Sequence, residues 1–384
     1  MANRVYFANQ QVAFKADAAT SWYAAHGVQS VAVTTTFNLE QAFELGQLAI
    51  YENIEGVPDI EVSCSKVLDG YPLLYHLGTL MAAAHTNSPT LAGRSTSSSV
   101  IALGVWPDTQ DSASGNPSQQ MEASGMFCSS VSYNFPIEDN FTEDVTFVGN
   151  NKGWRNGTAA IDCTAPGWIF AVGTGFFSTN DDAPIGTGGV QRRENLAFAT
   201  SSAHLASAAT GFDYTKLPTQ IPGVDSAGWI SPTQNATNTV HLQGVTISTD
   251  LGREELFELG TRQPYARVVT FPVEVTTDVE MLSLSGDMIN AFADGCKLVD
   301  DPCTGIVDNL VNETIRVATC EGTRIFLGTK NKLASVNYGG GDAGGGNVTV
   351  TYSYTTFNDF TVLHPQDPNV SGATWWGARS GYLQ

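Results

Sequence analysis

Residues 29–46 read QSVAVTTTFNLEQAFELG, and residues 243–260 read QGVTISTDLGREELFELG. The two align without a gap at an offset of 243 − 29 = 214. Gln29, Val31, Thr35, Glu40, Phe43, Glu44, Leu45 and Gly46 meet Gln243, Val245, Thr249, Glu254, Phe257, Glu258, Leu259 and Gly260. At the same offset Tyr51 meets Tyr265 and Pro58 meets Pro272. Beyond the prolines, Ile60-Glu61-Val62 and Val273-Glu274-Val275 match with a one-residue slip, the mark a β-bulge leaves in sequence. A match of this length ending in an identical Phe-Glu-Leu-Gly is read as an internal duplication.

Each copy opens on a period-two run. Val31, Val33 and Thr35 alternate with Ala32 and Thr34, as Val245, Ile247 and Thr249 do with Thr246 and Ser248, which predicts a strand. A short helix is expected next. Asn38 is a favourable N-cap with Gln41 three residues on, Gly252 and Glu255 hold those places in the second copy, and Gly46 and Gly260 supply a left-handed C′ residue. Further strands are expected over 48–52, 60–67, 267–276 and 279–284. The segments 333–338 and 347–356, alternating on either side of a Gly-rich tip, predict a long hairpin. That glycine run lacks a following Gly-Lys-Ser/Thr and a helix, so it reads as a hairpin tip and not a phosphate cradle.

The repeat divides the chain. The second unit spans 384 − 242 = 142 residues and the first 214, an excess of 72. That excess is assigned to a loop-rich insertion at about 87–150, where STSSS and DTQDSASGNPSQQ read as surface loops. Residues 219–239 have linker composition. The expected architecture is mainly β: two tandem antiparallel β-sandwich or barrel-like units, 1–235 and 236–384, each with one short flanking α-helix, long hairpins and loops.

Composition narrows function. Over 384 residues, 18 Lys+Arg stand against 38 Asp+Glu, a net charge of −20; only 15% of residues are charged and 42% are hydrophobic. The hydrophobic share argues against disorder, and the acidity against a site that grips nucleic-acid phosphate or an anionic membrane. The N-terminal stretch has no apolar core of signal-peptide length, and the longest apolar run, 73–84, is too short to span a bilayer. Six cysteines (Cys64, Cys128, Cys163, Cys296, Cys303, Cys320) lack paired short spacings and are expected reduced and buried.

Catalytic signatures are missing. The six histidines (His26, His76, His85, His204, His241, His364) stand singly, with no His-Glu-x-x-His, no Gly-x-Ser-x-Gly and no dinucleotide fingerprint. Acidic groups such as Glu138-Asp139 with Glu143-Asp144, or Asp181-Asp182, lack calcium-loop spacing and read as solvated loops. No enzyme, metal or cofactor is expected. One oddity remains on the expected helices: Glu40 and Glu44, and again Glu254 and Glu258, are like charges four apart, a spacing that costs roughly 0.2–0.5 kcal/mol. Inherited solvated glutamates are one reading. The other is that Glu40, Phe43, Glu44, Glu254, Phe257 and Glu258 face a neighbouring subunit, the acids meeting its Arg253, Arg262 or Arg267.

The pattern TTTFNLEQAFELGQLAIYENIEGVPDIEVSCSKVLDGYPLLYH, its later counterpart VTISTDLGREELFELGTRQPYARVVTFPVEVTTDVEM and the VNYGGGDAGGGNVTVTYSY hairpin resemble major tail tube proteins of long-tailed bacteriophages. The resemblance implies an antiparallel β-sandwich whose inner sheets join around a ring, with rings stacking into a tube that conducts DNA in the virion tail after assembly in the host cytoplasm. It implies as partners further copies of the chain and other tail proteins: tape measure, terminator, baseplate and, in contractile tails, sheath. The resemblance further implies that DNA passes through the lumen without specific binding and that no membrane is involved. The departure is the duplication. With two units per chain, three chains would complete a pseudo-sixfold ring; six chains is the alternative if both halves build one sandwich. A trimeric baseplate hub with doubled tube domains is the nearest rival. From another class comes a carbohydrate- or receptor-binding β-sandwich, with Trp106, Trp154, Trp168 and Trp375-Trp376 stacking on sugar. In a tube, the acidic surplus becomes a reason for DNA to slide: a bore lined by carboxylates repels phosphate.

Overall fold

The computed structural model describes residues 5–17, 22–46, 48, 50–80, 90–107, 117–156, 189–198, 214–224, 228, 240–283, 286–291, 310–340 and 346–367. The glycine tip 341–345, Cys163, Cys296, Cys303, His85, His204, Trp168, Trp375, Trp376, Asp181-Asp182 and most of the 219–239 segment lie outside them. In chain order the elements are β1 (Gln10–Ala16), β2 (Tyr23–Ala24), β3 (Val28–Thr36), β4 (Leu39–Phe43), β5 (Ile50–Glu55), β6 (Asp59–Val67), α1 (Leu74–Gly78), α2 (Leu91–Arg94), β7 (Ser98–Val105), β8 (Gln119–Pro136), β9 (Thr142–Gly149) and β10 (Asn151–Asn156). There follow β11 (His241–Asp250), β12 (Arg253–Leu256), β13 (Ala266–Val269), β14 (Glu274–Leu282), β15 (Arg316–Ala318), β16 (Arg324–Phe326), β17 (Lys332–Gly340), β18 (Val348–Phe357) and β19 (Thr361–Leu363).

The protein is mainly β, with large antiparallel sheets and, among the described residues, two short helices and no closed barrel. One run of neighbouring strands carries the argument: β3-β6-β9-β8-β11-β14-β18-β17. The 18-residue β8 is its axis, its first half lying between β7 and β10 and its second half between β9 and β11. Alternation sets the faces. Ile60, Val62 and Cys64 of β6, Val145 and Phe147 of β9, Val131 and Tyr133 of β8, Val245 and Ile247 of β11, and Val275 and Val279 of β14 are buried, while their neighbours in sequence point the other way. Against the buried face pack α1, through Leu74 and Leu77, and the small sheet β15-β16-β19, through Val317, Ile325 and Val362. One contiguous hydrophobic cluster spans both copies of the repeat.

Three expectations are corrected. The short helices expected at 38–46 and 252–260 are strands: β4 pairs β5 and β12 pairs β13, in two-stranded hairpins. A two-turn helix is marginal without a surface for its apolar side to cover, and here Leu39, Phe43 and Leu45 are exposed. The backbone instead pairs with the following β-branched and aromatic run, and the hairpin base is pinned by Gly56 N donating to Asn38 O (2.6 Å) and Asn38 Nδ2 to Val57 O (2.8 Å). Gly46 (φ +92°) and Gly260 (φ +93°) are left-handed as expected, but end no helix. Among the described residues of 87–150, α2, β7, β8 and β9 take up most positions, so that part is not loop-rich; DTQDSASGN (108–116) lies outside the described residues. Finally, Ile60 lies opposite Thr35 and Val275 opposite Thr249, so Ile60 corresponds to Val275 and the slip runs in the opposite sense. The bulges sit at Gln29 and Gln243.

Candidate functional site: an assembly interface

The repeat copies have matching registers. Leu39 faces Glu55 and Arg253 faces Val269; Glu40 faces Ile54 and Glu254 faces Val268; each pair keeps the 214 offset. The β3–β6 register shifts between Val28 and Ser30, and the β11–β14 register between Leu242 and Gly244, again 214 apart. A second correspondence emerges from the pairings. Val131 faces Val145 as Val336 faces Tyr352, and Tyr133 faces Glu143 as Tyr338 faces Val350. Bulges at Ser129 and Ala334 match as well. β17 therefore occupies in the second copy the place of the C-terminal half of β8 in the first. The sequence signal was present as Ser130-Val131-Ser132-Tyr133 against Ser335-Val336-Asn337-Tyr338, at an offset of 205, and is too short to find without the strand pairing.

Four strands β3-β6-β9-β8 thus correspond to four strands β11-β14-β18-β17. The two sets are joined where β8, last of the first, pairs with β11, first of the second: Tyr133 opposite Ile247, Val131 opposite Thr249. At the two ends of the run the same two kinds of edge stand without a strand partner among the described residues: β3 pairs only β6, and β17 only β18. Burial follows. Tyr133 is 0% exposed at the junction, whereas its counterpart Tyr338 is 51% exposed. Val131 and Ile247 are buried, whereas Val336 and Val33 are only half-buried. Long unpaired edges with apolar residues are pairing templates.

The site residues expected from sequence lie on the two hairpins. Glu40, Phe43, Glu44, Glu254 and Glu258 are exposed or nearly so, and Phe257 is 54% exposed; with the helices gone, Glu40 and Glu44 are not an i,i+4 pair. The arginines are engaged within the chain. Arg253 donates through Nε to Cys128 O (2.8 Å) and through Nη1 to Ser95 O (2.5 Å), and stacks over Phe127; burial lowers its pKa to about 10. Arg267 pairs with Glu255 and reaches Asn150 Oδ1 (3.2 Å), its pKa lowered by burial against the pull of Asp59. Arg262, in the β12–β13 turn, donates Nη2 to Glu55 O (2.9 Å) and Gly56 O (2.8 Å) at the base of the other hairpin. Leu45 and Leu259, at equivalent tips, are fully exposed.

The outward face of the eight-strand run is polar. Ser63 meets Thr146 (3.5 Å), Thr246 donates to Asn134 (3.2 Å), and Ser248 meets Thr276 (2.8 Å). Its charges are exposed carboxylates, Glu61, Asp144, Asp250, Glu274, Asp278 and Glu280; Lys332, at the β17 edge, is the cation it carries among the described residues.

Behind this sheet lies a buried polar scaffold that sequence reasoning missed. Glu143, read as part of a solvated acidic loop, is fully buried; it accepts from Leu74 N (2.6 Å), Tyr75 N (3.1 Å) and Tyr133 OH (2.8 Å), fastening the start of α1 to β9. Burial raises its pKa, opposed by those hydrogen bonds and by Lys66. Its strand parity, opposite to Asp144, was the available signal. His76 donates Nε2–H to Val362 O (3.2 Å), Arg94 is paired with Asp367, and His364 packs beside His76, so α1, α2 and the segment after β19 meet in one buried cluster. Trp106 is 1% exposed, packed with Ala13 and Ala102, and is closed to sugar. Cys64 and Cys128 are buried free thiols and Cys320 an exposed one. Among the described residues no group of His, Cys, Asp and Glu is placed to hold a metal, and no helix is long and apolar enough to cross a membrane.

No family profile matches the chain, and no curated protein does. Among solved structures it is similar to a chain of the anti-feeding prophage (AFP) baseplate, 6-fold symmetrised, at 10% identity and a TM-score of 0.30, over 41% of this chain and 98% of that one. It is similar also to a chain of the AFP tube-terminating cap (10%, 0.28, 40% and 91%) and to one of the sheath–tube complex of an extracellular contractile injection system, PVC, in its extended state (10%, 0.28, 40% and 92%).

Proposed function

We propose that the protein is a structural subunit of a phage-type tail, a tail tube protein that closes head-to-tail into rings and stacks them into a conduit for DNA. One observation carries this reading: the β8–β11 junction inside the chain and the open β17 and β3 edges at its ends are the same pair of edges. A heterologous contact that can repeat closes a ring when its rotation allows. Transferring the junction register gives the contact between copies: Val33 opposite Tyr338, Thr35 opposite Val336 and Thr34 opposite Asn337.

Each chain then contributes two equivalent four-strand units, 1–235 and 236–384. In the sixfold ring that the tail-tube resemblance implies, three chains complete the circle. Six chains is the second reading, favoured by the core both copies share. The acidic outward face lines the bore, and tape measure, terminator and baseplate proteins meet the ends of the tube. The hairpin tips are left for stacking, because Leu259 stays fully exposed although Arg262 beside it already holds its lateral contact.

The test is a cross-link with microscopy. In a background with Cys163, Cys296, Cys303 and Cys320 replaced by Ser, Val33→Cys with Tyr338→Cys treated with a short bis-maleimide gives covalent ladders ending at three chains, and negative stain shows rings or tubes about 100 Å wide, the scale of packed domains in a circle. Monomers without cross-links and without rings at any salt or pH overturn the proposal. Closure at six chains replaces the trimer with the hexamer.

A further inference from the structure

Inside the chain, the turn of the second hairpin sits on the base of the first. Arg262 bonds Glu55 O and Gly56 O, over a groove of about 280 Å³ that Phe37, Val57 and Pro58 help to line. The 214 offset, which holds through both hairpins, names the counterparts: Leu48 for Arg262, and Val269, Thr270, Phe271 and Pro272 for Glu55, Gly56, Val57 and Pro58. The two bases differ in cover. Gly56, Val57 and Pro58 are half-buried beneath the turn that rests on them, whereas Thr270, Phe271 (46%) and Pro272 are exposed. The donor of the missing contact is exposed too: Leu48 has full solvent access.

We infer that Leu48, between β4 and β5 of one copy, docks on Thr270, Phe271 and Pro272 of the next copy, repeating between chains the clasp that Arg262 makes within one. The inference rests on the ring reading, since only a copy joined through the β17 and β3 edges is placed to deliver that turn; the within-chain junction and clasp occur together, and so should their repeats. The chemistry is not copied. The internal clasp is a guanidinium on two carbonyl oxygens, whereas the clasp between copies is leucine on phenylalanine and proline. The clasp between copies is then formed by removing apolar surface from water and responds little to salt, while the internal contact fixes how the two units of one chain face each other.

Two variants test it. Leu48→Asp changes a fully exposed side chain, so the monomer's circular dichroism and melting stay as in the wild type, while the concentration for half-assembly by sedimentation rises about tenfold or more. In the same background without Cys163, Cys296, Cys303 and Cys320, Leu48→Cys with Thr270→Cys and a bis-maleimide of ~10 Å reach gives links between chains, a span matching the distance between packed backbones. If the Val33–Tyr338 pair cross-links but the Leu48–Thr270 pair does not, or if Leu48→Asp assembles at wild-type concentration, the clasp is wrong and the ring stands. If neither pair links and no rings form, the ring reading itself has failed.

Discussion

Arg253 shows how one residue can be read correctly as important and wrongly as to its partner. A charged residue within the repeat invites a neighbour across an interface, yet its guanidinium is spent on Cys128 O and Ser95 O, tying the foot of the second hairpin to the bulge of β8 and the end of α2. Arg253→Ala is expected to lower unfolding free energy by about 1–3 kcal/mol, the range for leaving buried carbonyls without a charged donor, measured by urea denaturation; a change under about 0.5 kcal/mol, the surface norm, would show the bonds to be idle. Glu143 is the converse case. Its acidity suggested solvent, although alternation puts it on the same face as Val145 and Phe147; the pairing of β9 with β8 and β6 and the packing of α1 turn that face inward.

At the scale of elements, the buried cluster joining α1, α2 and the segment after β19 makes stability depend on acid. His76 is surrounded by Arg94, Asp367, His364 and the Val362 carbonyl; burial lowers its pKa to about 4, and His364 is pushed down as well by burial and by His76 and Lys66, with Asp367 opposing both. A histidine held neutral in the fold but free to protonate when unfolded contributes stability above the unfolded value near 6.5, lost as pH falls toward the folded value. Melting temperature should therefore decline between pH 6.5 and 4, His76 accounting for up to about 3 kcal/mol at 1.36 kcal/mol per pH unit. His76→Gln should flatten that decline while leaving the pH 8 melting temperature closer to wild type than the pH 4.5 value is; an unchanged slope in differential scanning fluorimetry would place the acid sensitivity elsewhere. Several strands were legible: 60–67 and 333–338 fall within β6 and β17, and 347–356 is β18 displaced by one residue, because alternation is a local property. The hairpins were not, because NLEQAFELG suits either a two-turn helix or a strand, and the choice was made by the partner run that follows it.

For the whole molecule, the net charge of −20 acquires a location. Glu61, Asp144, Asp250, Glu274, Asp278 and Glu280 share one solvated face with Ser and Thr, so a tube built with that face inward has a bore that repels phosphate. Assembled wild-type tubes should not retain DNA in co-sedimentation at ~0.15 M salt, where the screening length is about 8 Å. Tubes carrying Glu61→Lys, Asp278→Lys and Glu280→Lys should retain it, with retention falling as salt rises. Equal retention by both would remove the electrostatic account of passage without touching the ring.

The sequence by itself determined the β class, the repeat and its offset, several of the strands and the acidic balance, all of which follow from periodicity and composition along a short stretch of chain. Only the tertiary structure decided which edges are joined and which stand open among the described residues, that Ser130–Tyr133 and Ser335–Tyr338 are counterparts, and that Arg253, Arg262 and Arg267 are satisfied within the chain. The reason is physical. A strand carries its own face pattern in its residues, but its partner is set by backbone hydrogen bonds, which every residue except proline can make alike, so the choice among edges belongs to the packed core and not to the string of side chains.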